Sequence, residues 1–296
     1  PLGFPDGPDA YLYVGGDPVN KVDPLGLYST EVHYYLTYFL ARVGGLSELQ
    51  ARTVASAAQF IDDNDFTRPL KVGRGHERRL ALYHFTYSDA EIAQEAINFP
   101  RANRFLNSDN AQLRVLLAYA NRNILCTKAQ LFGEYLHAFQ DSFAHRNPDN
   151  APFTVGGGVG HGLYGEDPDS TFDVIHSKFS PRPSFTFNDE KAIAMEQAVF
   201  ESFRTNFGLS ANDKDGFPIN FSTIRTTLLE FNAIPLRGDS RAKWGILDTR
   251  LRELGLGGIP PYNETWARNA RHRNLVDSQG NPLNPAEYPN AILETE

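Results

Sequence analysis

Cysteine is almost missing from this chain of 296 residues: Cys126 stands alone. A single thiol closes no intrachain disulfide, so nothing in the sequence demands an oxidising compartment. With no motif around it, Cys126 reads as buried filler. Positive charge is also in deficit, with 28 Lys and Arg against 36 Asp and Glu and a formal net charge of −8. Duplex nucleic acid is gripped by clustered cations, so this balance argues against a duplex-binding module; it leaves room for a nuclease that holds phosphate through metal ions. No apolar run approaches the roughly 20 residues of a membrane helix. No basic segment followed by an apolar core opens the chain, so neither a signal peptide nor stable membrane insertion is expected. Rossmann and P-loop fingerprints and repeats of solenoid length are absent, and no serine or cysteine stands out as a nucleophile. What is present is ordinary for a globular protein: 41% hydrophobic and 22% charged residues, ample for a substantial core. The chain starts at Pro1 without Met, which points to a piece of a longer protein carried to its destination by something else.

Residues 1–27 differ from all that follows. They read PLGFPDGPDAYLYVGGDPVNKVDPLGL, dense in Gly, Pro, Asp and Asn around one strand-like run, Tyr11 to Val14. Pro1-Leu2-Gly3 is nearly repeated by Asp23-Pro24-Leu25-Gly26-Leu27. This segment resembles the end of an Rhs repeat core, a β-strand shell that closes with a DPxGL motif and acts as an aspartyl-type autoprotease. The resemblance implies that Asp23 is one protease carboxylate and Leu27–Tyr28 the cut bond, with the second carboxylate upstream of Pro1. It also implies that a toxin follows, exported by a specialised secretion system into a target cell, with the parent Rhs shell and a cognate immunity protein as partners. The boundaries are then residues 1–27 for the short irregular or β remnant and 28–296 for the toxin domain.

From Tyr28 onward the pattern predicts an all-α, multi-helix domain. Ser29 or Thr30 can cap a helix to about Arg42, ended by Gly44-Gly45. Ser47 with Gln50 forms a capping box for a helix to about Ile61, and Thr127 with Gln130 for one to about Ala144. Ser88 with Glu91 opens another. Ser108 can cap a long helix whose Leu113, Val115, Leu116 and Tyr119 suit a buried face. The Gly- and Pro-rich stretch 148–169 reads as loop, helical patterns return over about 189–207, 222–232, 239–254 and 263–272, and the tail from Asp277 is irregular.

The chemistry concentrates in Gly133-Glu134-Tyr135-Leu136-His137-Ala138-Phe139-Gln140-Asp141-Ser142-Phe143-Ala144-His145. On a helix His137, Asp141 and His145 share one face, and Glu134 lies about a turn before His137. Imidazole and carboxylate together suit a borderline cation such as zinc in the absence of thiolate. A single HxxxD pair is more often a polar helix face than a ligand set. Further histidines in inward-looking contexts shift that balance: His33 within the aromatic and aliphatic run Val32–Leu40, and His84 in Leu82-Tyr83-His84-Phe85. Asp62 and Asp63 end the helix after Phe60-Ile61, and His161 lies in a Gly-rich loop ahead of Glu166, Asp167 and Asp169.

In order, His33, Asp62 or Asp63, His84, His137, Asp141, His145, His161 and Glu166 or a neighbouring Asp resemble the ligands of the zinc-dependent phospholipase C and single-strand-specific zinc nuclease superfamily. The likeness spans about residues 30–170. It implies two or three divalent ions, zinc above all, and hydrolysis of a phosphodiester by activated water, with Asp62, Asp63 and Glu134 as candidates to bind metal or orient that water. Two departures stand out. Glu166 lies five residues after His161 where the family has four, and the family's N-terminal Trp ligand is missing, although cleavage after Leu27 would expose an amine at Tyr28. The order His–Asp-Asp–His also resembles uncharacterised bacterial proteins. Aromatic richness, with 21 Phe and 13 Tyr, leans toward a phospholipid headgroup as substrate. Nucleic acid, stacked as single strands on aromatics, is the alternative, and a non-enzymatic toxin with structural metal is the reading from another class. His76, in a basic stretch, reads as solvated, and His176 and His272 as surface residues. Gly156-Gly157-Gly158 reads as a flexible loop, and Asp62-Asp63-Asn64-Asp65 lacks the Gly and terminal Glu of a calcium loop.

Overall fold

The protein was analysed as a computed structural model, which describes residues 30–64, 67–68, 83–84, 111–149, 153, 167–235 and 240–274. The 1–27 segment, the helix predicted from Ser88, the Ser108 cap and the tail from Asp277 lie outside these residues, as do His76, His161 and Glu166. Every regular element described is helical. The only β-pairing among the described residues is two isolated antiparallel bridges, Val174 with Phe185 and Asn212 with Pro218.

The chain enters through a π-helical turn, Glu31–Leu36, that runs directly into α1, Thr37–Val43. Thr30 occupies the cap position without a side-chain bond, and Ser29, the other cap candidate, lies outside the described residues. The Val32 carbonyl accepts both the Thr37 backbone N–H and the Thr37 hydroxyl, the latter 3.1 Å away, so the π turn closes on Thr37. Gly45 stops α1 at φ +102°, with Gly45 N–H donating to Arg42 O and Leu46 N–H to Ala41 O, the paired bonds of a Schellman end. A Cβ at Gly45 would meet the Ser210 backbone at 2.8 Å, so both the backbone angle and the space require glycine.

Helix α2, Glu48–Asp63, opens on the Ser47–Gln50 capping box expected from sequence. Helix α3, Ala111–Asn121, buries Leu113, Leu116 and Tyr119 but leaves Val115 52% exposed, because one 3.6-residue stripe cannot also accommodate position 115. Helix α4, Leu125–Ala144, begins two residues before the capping box expected at Thr127, with Ile124 in the cap position and no side-chain bond. Cys126, in its first turn, is only half-buried. Then come α5, Asn188–Phe207; α6, Phe221–Asn232; α7, Ser240–Glu253; and α8, Glu264–Asn274. Their limits fall within one or two residues of the periodic segments in the sequence, the usual fraying range.

The centre of the molecule is the pair α2 and α4. Ala51, Ala55, Ala57 and Ala58 of α2 are buried, and α4 presents Gly133 to them. A Cβ there would sit 2.7 Å from Ala57 Cβ and closer still to the Val54 carbonyl oxygen. Small residues on both helices let the backbones approach closely. Helix α3 covers α4 on one side and α5 on another; α1 and α8 pack on α2, and α6 and α7 complete the layer over α1 and α5. One hydrophobic core runs through all of this, including Phe39, Phe132, Phe139, Phe200, Phe203 and Phe231.

Candidate metal centre

Helix α4 is buried around its whole circumference. Its apolar residues Phe132, Leu136, Phe139 and Phe143 join the core. Its polar residues Gln130, Glu134, His137, Gln140, Asp141 and His145 are equally sealed. A helix does not place unpartnered polar groups in an apolar interior, where each costs about 1–3 kcal/mol. The partners come from distant parts of the chain.

His33, from the π turn, lies with Nε2 3.2 Å from Asp141 Oδ1 and 3.9 Å from Asp62 Oδ2. His84 Nδ1 lies 3.2 Å from Asp141 Oδ2 and 3.9 Å from Asp62 Oδ1. His137 Nε2 lies 3.4 Å from Asp141 Oδ2, 3.5 Å from Asp62 Oδ1 and 3.1 Å from His84 Nδ1. The His33 and His137 rings are 4.1 Å apart, and those of His84 and His137 4.9 Å. Two groups thus offer donor atoms within 4.8 Å of one another: His33, His137 and Asp141; and Asp62, His84 and His137.

The outer hydrogen bonds fix which ring nitrogens carry protons. A carbonyl can only accept, so Thr37 Oγ1 donates to Val32 O and accepts from Gln140 Nε2 at 2.9 Å. That orients the Gln140 amide with its oxygen toward His33 Nδ1, 3.0 Å away. His33 therefore carries its proton on Nδ1, and Nε2 turns a lone pair toward Asp141 and Asp62. By the same logic His84 donates from Nε2 to Thr67 O at 3.0 Å and turns the Nδ1 lone pair inward. His145 donates from Nδ1 to His84 O at 2.5 Å, so its Nε2 lone pair faces Asp169 Oδ1 at 3.4 Å. Among the described residues no hydrogen-bond donor reaches Asp141 Oδ1 or His137 Nδ1.

Burial pushes His137 down to about 3 and lowers His84 and His145 as well, so these rings are neutral near pH 7. Burial would raise Asp141, but the charge and N–H groups that His145, His137 and His33 offer it when protonated outweigh that and hold it well below the usual carboxylate range. Lone pairs and carboxylate oxygens facing one another in a dry interior repel unless a cation sits among them. The spacing fits one: two ligands each about 2.0–2.1 Å from a tetrahedral ion are about 3.3 Å apart. The described residues can hold one divalent metal ion, with His33, His137 and Asp141, or Asp62, His84 and His137, as the inner set and Gln140 and Thr67 orienting the rings from behind.

Not every candidate from the sequence points here. The Asp63 carboxylate accepts from the Tyr262 hydroxyl at 2.5 Å, and burial raises it while that hydroxyl pulls it back. Glu134 lies beside Arg271 Nε at 3.4 Å and Gln130 Nε2 at 3.3 Å, joining α4 to α8. His145 joins the group through His84 and Asp141. Two participants, Gln140 and Thr67, escaped the sequence reading, and a third, Asp169, entered it only as an unspecified acid near Glu166. Gln140 stood in plain view, a polar residue between Phe139 and Asp141 on the helix that carries two ligands. Thr67 acts through its backbone carbonyl, which no side-chain pattern reveals. Asp169 is fully buried in a short 3-10 turn, Asp167–Asp169, and only its place downstream of His161 marked it. His176 is no lone surface residue: its Nε2 lies 2.8 Å from Asp167 Oδ2, a partner nine positions away that helical spacing could not suggest.

Comparison with known proteins adds a partial match to one family model and no activity. Residues 29–100 match a model described as a family of unknown function (DUF6765). This is about a quarter of the chain. It takes in His33, Asp62, Asp63 and His84, but stops before α4 with His137 and Asp141. No curated protein and no solved structure matches.

Proposed function

We propose that this chain is the toxin end of an Rhs-type effector and that its centre is a divalent-metal hydrolase of phosphodiesters, phospholipase C-like, acting on a lipid headgroup. The observation that carries the catalytic reading is the convergence of His33, Asp62, His84, His137 and Asp141 from four separate stretches of chain. A buried purely structural contact would not need so many lone pairs turned to one point. When bound there, a divalent ion supplies Lewis acidity for water activation and positive charge for the phosphoryl oxygens. The residues of the chain do the rest. Gln140 and Thr67 hold the rings of His33 and His84 in one orientation, the neutral imidazoles of His84 and His137 leave their donor atoms deprotonated near pH 7, and burial keeps bulk water from competing for the ligands. Zinc fits a His and carboxylate set without thiolate. A second or third ion, drawing on His145, His161, Glu166 or Asp169, belongs to the same proposal.

The test is metal analysis of the purified protein with assays on phospholipid vesicles and on single-stranded nucleic acid. The expected result is at least one zinc per chain and release of phosphorylated headgroup, both lost in His137→Ala and Asp141→Ala. Cleavage of single strands alone would move the assignment to a zinc nuclease.

One observation favours a second reading, in which the metal is structural: His33, His84, His137 and Asp141 are all sealed from solvent, and a structural site is closed where a catalytic one keeps an open position. Stoichiometric zinc whose removal unfolds the protein, with neither substrate cleaved, would establish that reading instead.

A further inference from the structure

The segment 174–185 forms a hairpin that pushes apolar side chains into water. Val174 and Phe185 close it with reciprocal backbone bonds of 2.9 and 2.8 Å. Inside the loop, His176 N–H donates to Ser184 Oγ at 2.8 Å, Ser180 N–H to Ser177 O at 2.8 Å and Arg182 N–H to Ser180 Oγ at 3.1 Å. The loop is thereby pinned at several points. From this frame Phe179 projects 85% exposed and Ile175 69% exposed. Large side chains held this far out by a hydrogen-bonded loop gain nothing in the isolated molecule, and their ordering cost is already met before any partner arrives.

The charge around them is equally uneven. The chain carries −8 overall, yet from Val174 to Asn188 it contains Lys178 and Arg182 and no carboxylate. Lys178 Nζ sits 5.1 Å from the Phe179 ring, so cation and aromatic form one tip. Arg182 stands behind it, 3.8 Å from Asp167. The nearest acid in sequence, Asp173, is occupied at the base, where its Oδ1 accepts from Asn188 N–H at 2.9 Å. The hairpin is also joined to the candidate metal centre. His176 grips Asp167, Asn188 Nδ2 donates to the Asp167 carbonyl at 2.7 Å, and Asp169, two residues on, faces His145.

We infer that this hairpin is a lipid-surface anchor: Ile175 and Phe179 insert among the headgroups of an anionic membrane while Lys178 and Arg182 meet the lipid phosphates. Two isolated apolar tips amid hydroxyls and cations are too small for a stable protein interface, which needs a contiguous patch of hundreds of Å². They match the interfacial pattern of a few apolar or aromatic side chains beside basic ones. The inference deepens the lipid reading of the proposed function, since it would bring the substrate-bearing surface to the side of the molecule where Asp167 and Asp169 lie.

The test is flotation of the full chain, with its metal in place, on phosphatidylcholine vesicles with and without phosphatidylglycerol, headgroup release being measured in the same samples. Binding is expected only with phosphatidylglycerol and should weaken with added salt. Phe179→Ser and Ile175→Ser should each lower the vesicle partition about tenfold, and Lys178→Glu should lower it most at low salt. Unchanged thermal unfolding would show that these exposed positions do not affect folding. Retained binding in His137→Ala would support the anchor independently of catalysis, and intact protein that binds vesicles but releases no headgroup would leave the anchor standing while sinking the lipid-hydrolase reading. No vesicle binding, or equal binding by wild type and Phe179→Ser, would overturn it. A Phe179→Ser change that left vesicles unaffected but altered the mass of the protein in light scattering would assign the tip to a protein partner instead.

Discussion

At the scale of single residues the centre depends on groups that would touch the ligating side chains but not the metal. Gln140 is fixed by Thr37 and in turn fixes His33. Removing that chain in Gln140→Leu or Thr37→Val should leave the helices intact but free the His33 ring to flip its tautomer. Metal affinity should then fall about 10- to 100-fold, the usual cost of losing such an outer partner. Competition titration against a chromophoric chelator reads this directly, and an unchanged affinity would show that His33 is no ligand. The neutral rings also set a pH dependence. His137, lowered to about 3 in the folded chain, returns to about 6.5 when unfolded. Below pH 6.5 the unfolded chain therefore binds more protons than the folded one. Its contribution is full above that pH and is lost progressively as pH falls toward 3. His84 and His145 shift in the same direction. Asp141 is also depressed, and its share is lost only as pH falls through its own lowered value. The urea midpoint of metal-free protein should thus decline steadily from pH 7 to pH 5. A flat profile over that range would mean that the rings are not sealed from protons.

At the scale of elements, the contact between α2 and α4 sets the size of the site, because α2 ends in Asp62 and α4 carries His137 and Asp141. Gly133 governs that contact. In Gly133→Ala the new methyl meets the Val54 carbonyl and Ala57, so the helices must part. Overpacking of this kind costs about 1–3 kcal/mol. Separation of Asp62 from His137 should weaken metal binding along with stability. Gly245→Ala is the matched control: it lies in α7, a Cβ there meets nothing within 4 Å, and restricting the unfolded chain should stabilise by about 0.4–1 kcal/mol. Paired urea titrations check both signs. The π turn belongs to this scale too. Its wider winding is what brings His33 round to Asp141 while Thr37 meets the Val32 carbonyl with both its N–H and its hydroxyl, and a regular α-helix over Glu31–Leu36 would rotate His33 relative to α4.

At the scale of the whole molecule, the described helices include none long and apolar enough to cross a membrane. If residues 1–27 close an Rhs shell, the parent protein should be cut between Leu27 and Tyr28. Asp23→Asn should block the cut, because a carboxylate pair must share one proton to activate water. N-terminal sequencing of the released toxin is the check; a start at any residue other than Tyr28, or release in the Asp23→Asn protein, would rule out that role for the leader. A start at Tyr28 would place a new amine five residues before His33, and adding one residue ahead of Tyr28 would then test whether metal content depends on it.

The sequence alone determined the helical class, most helix limits and the shared face of His137, Asp141 and His145. All of these follow from local periodicity and from side chains three or four positions apart. It also assembled His33, Asp62 and His84 with them as an ordered list. It missed the start of α4: Thr127 and Gln130 satisfy a local capping pattern, yet the helix begins two residues earlier behind Ile124, which makes no side-chain cap. Only the tertiary structure decided which acids face the centre. Asp62 and Asp63 are adjacent on one helix, about 100° apart in direction, so one turns to His33 and His137 and the other to Tyr262. Only the fold could likewise assign Glu134 to Arg271, Asp169 to His145 and the backbone carbonyl of Thr67 to His84. These pairings join residues 17 to 137 positions apart, and they form only when distant stretches of chain pack against one another, which no local spacing records.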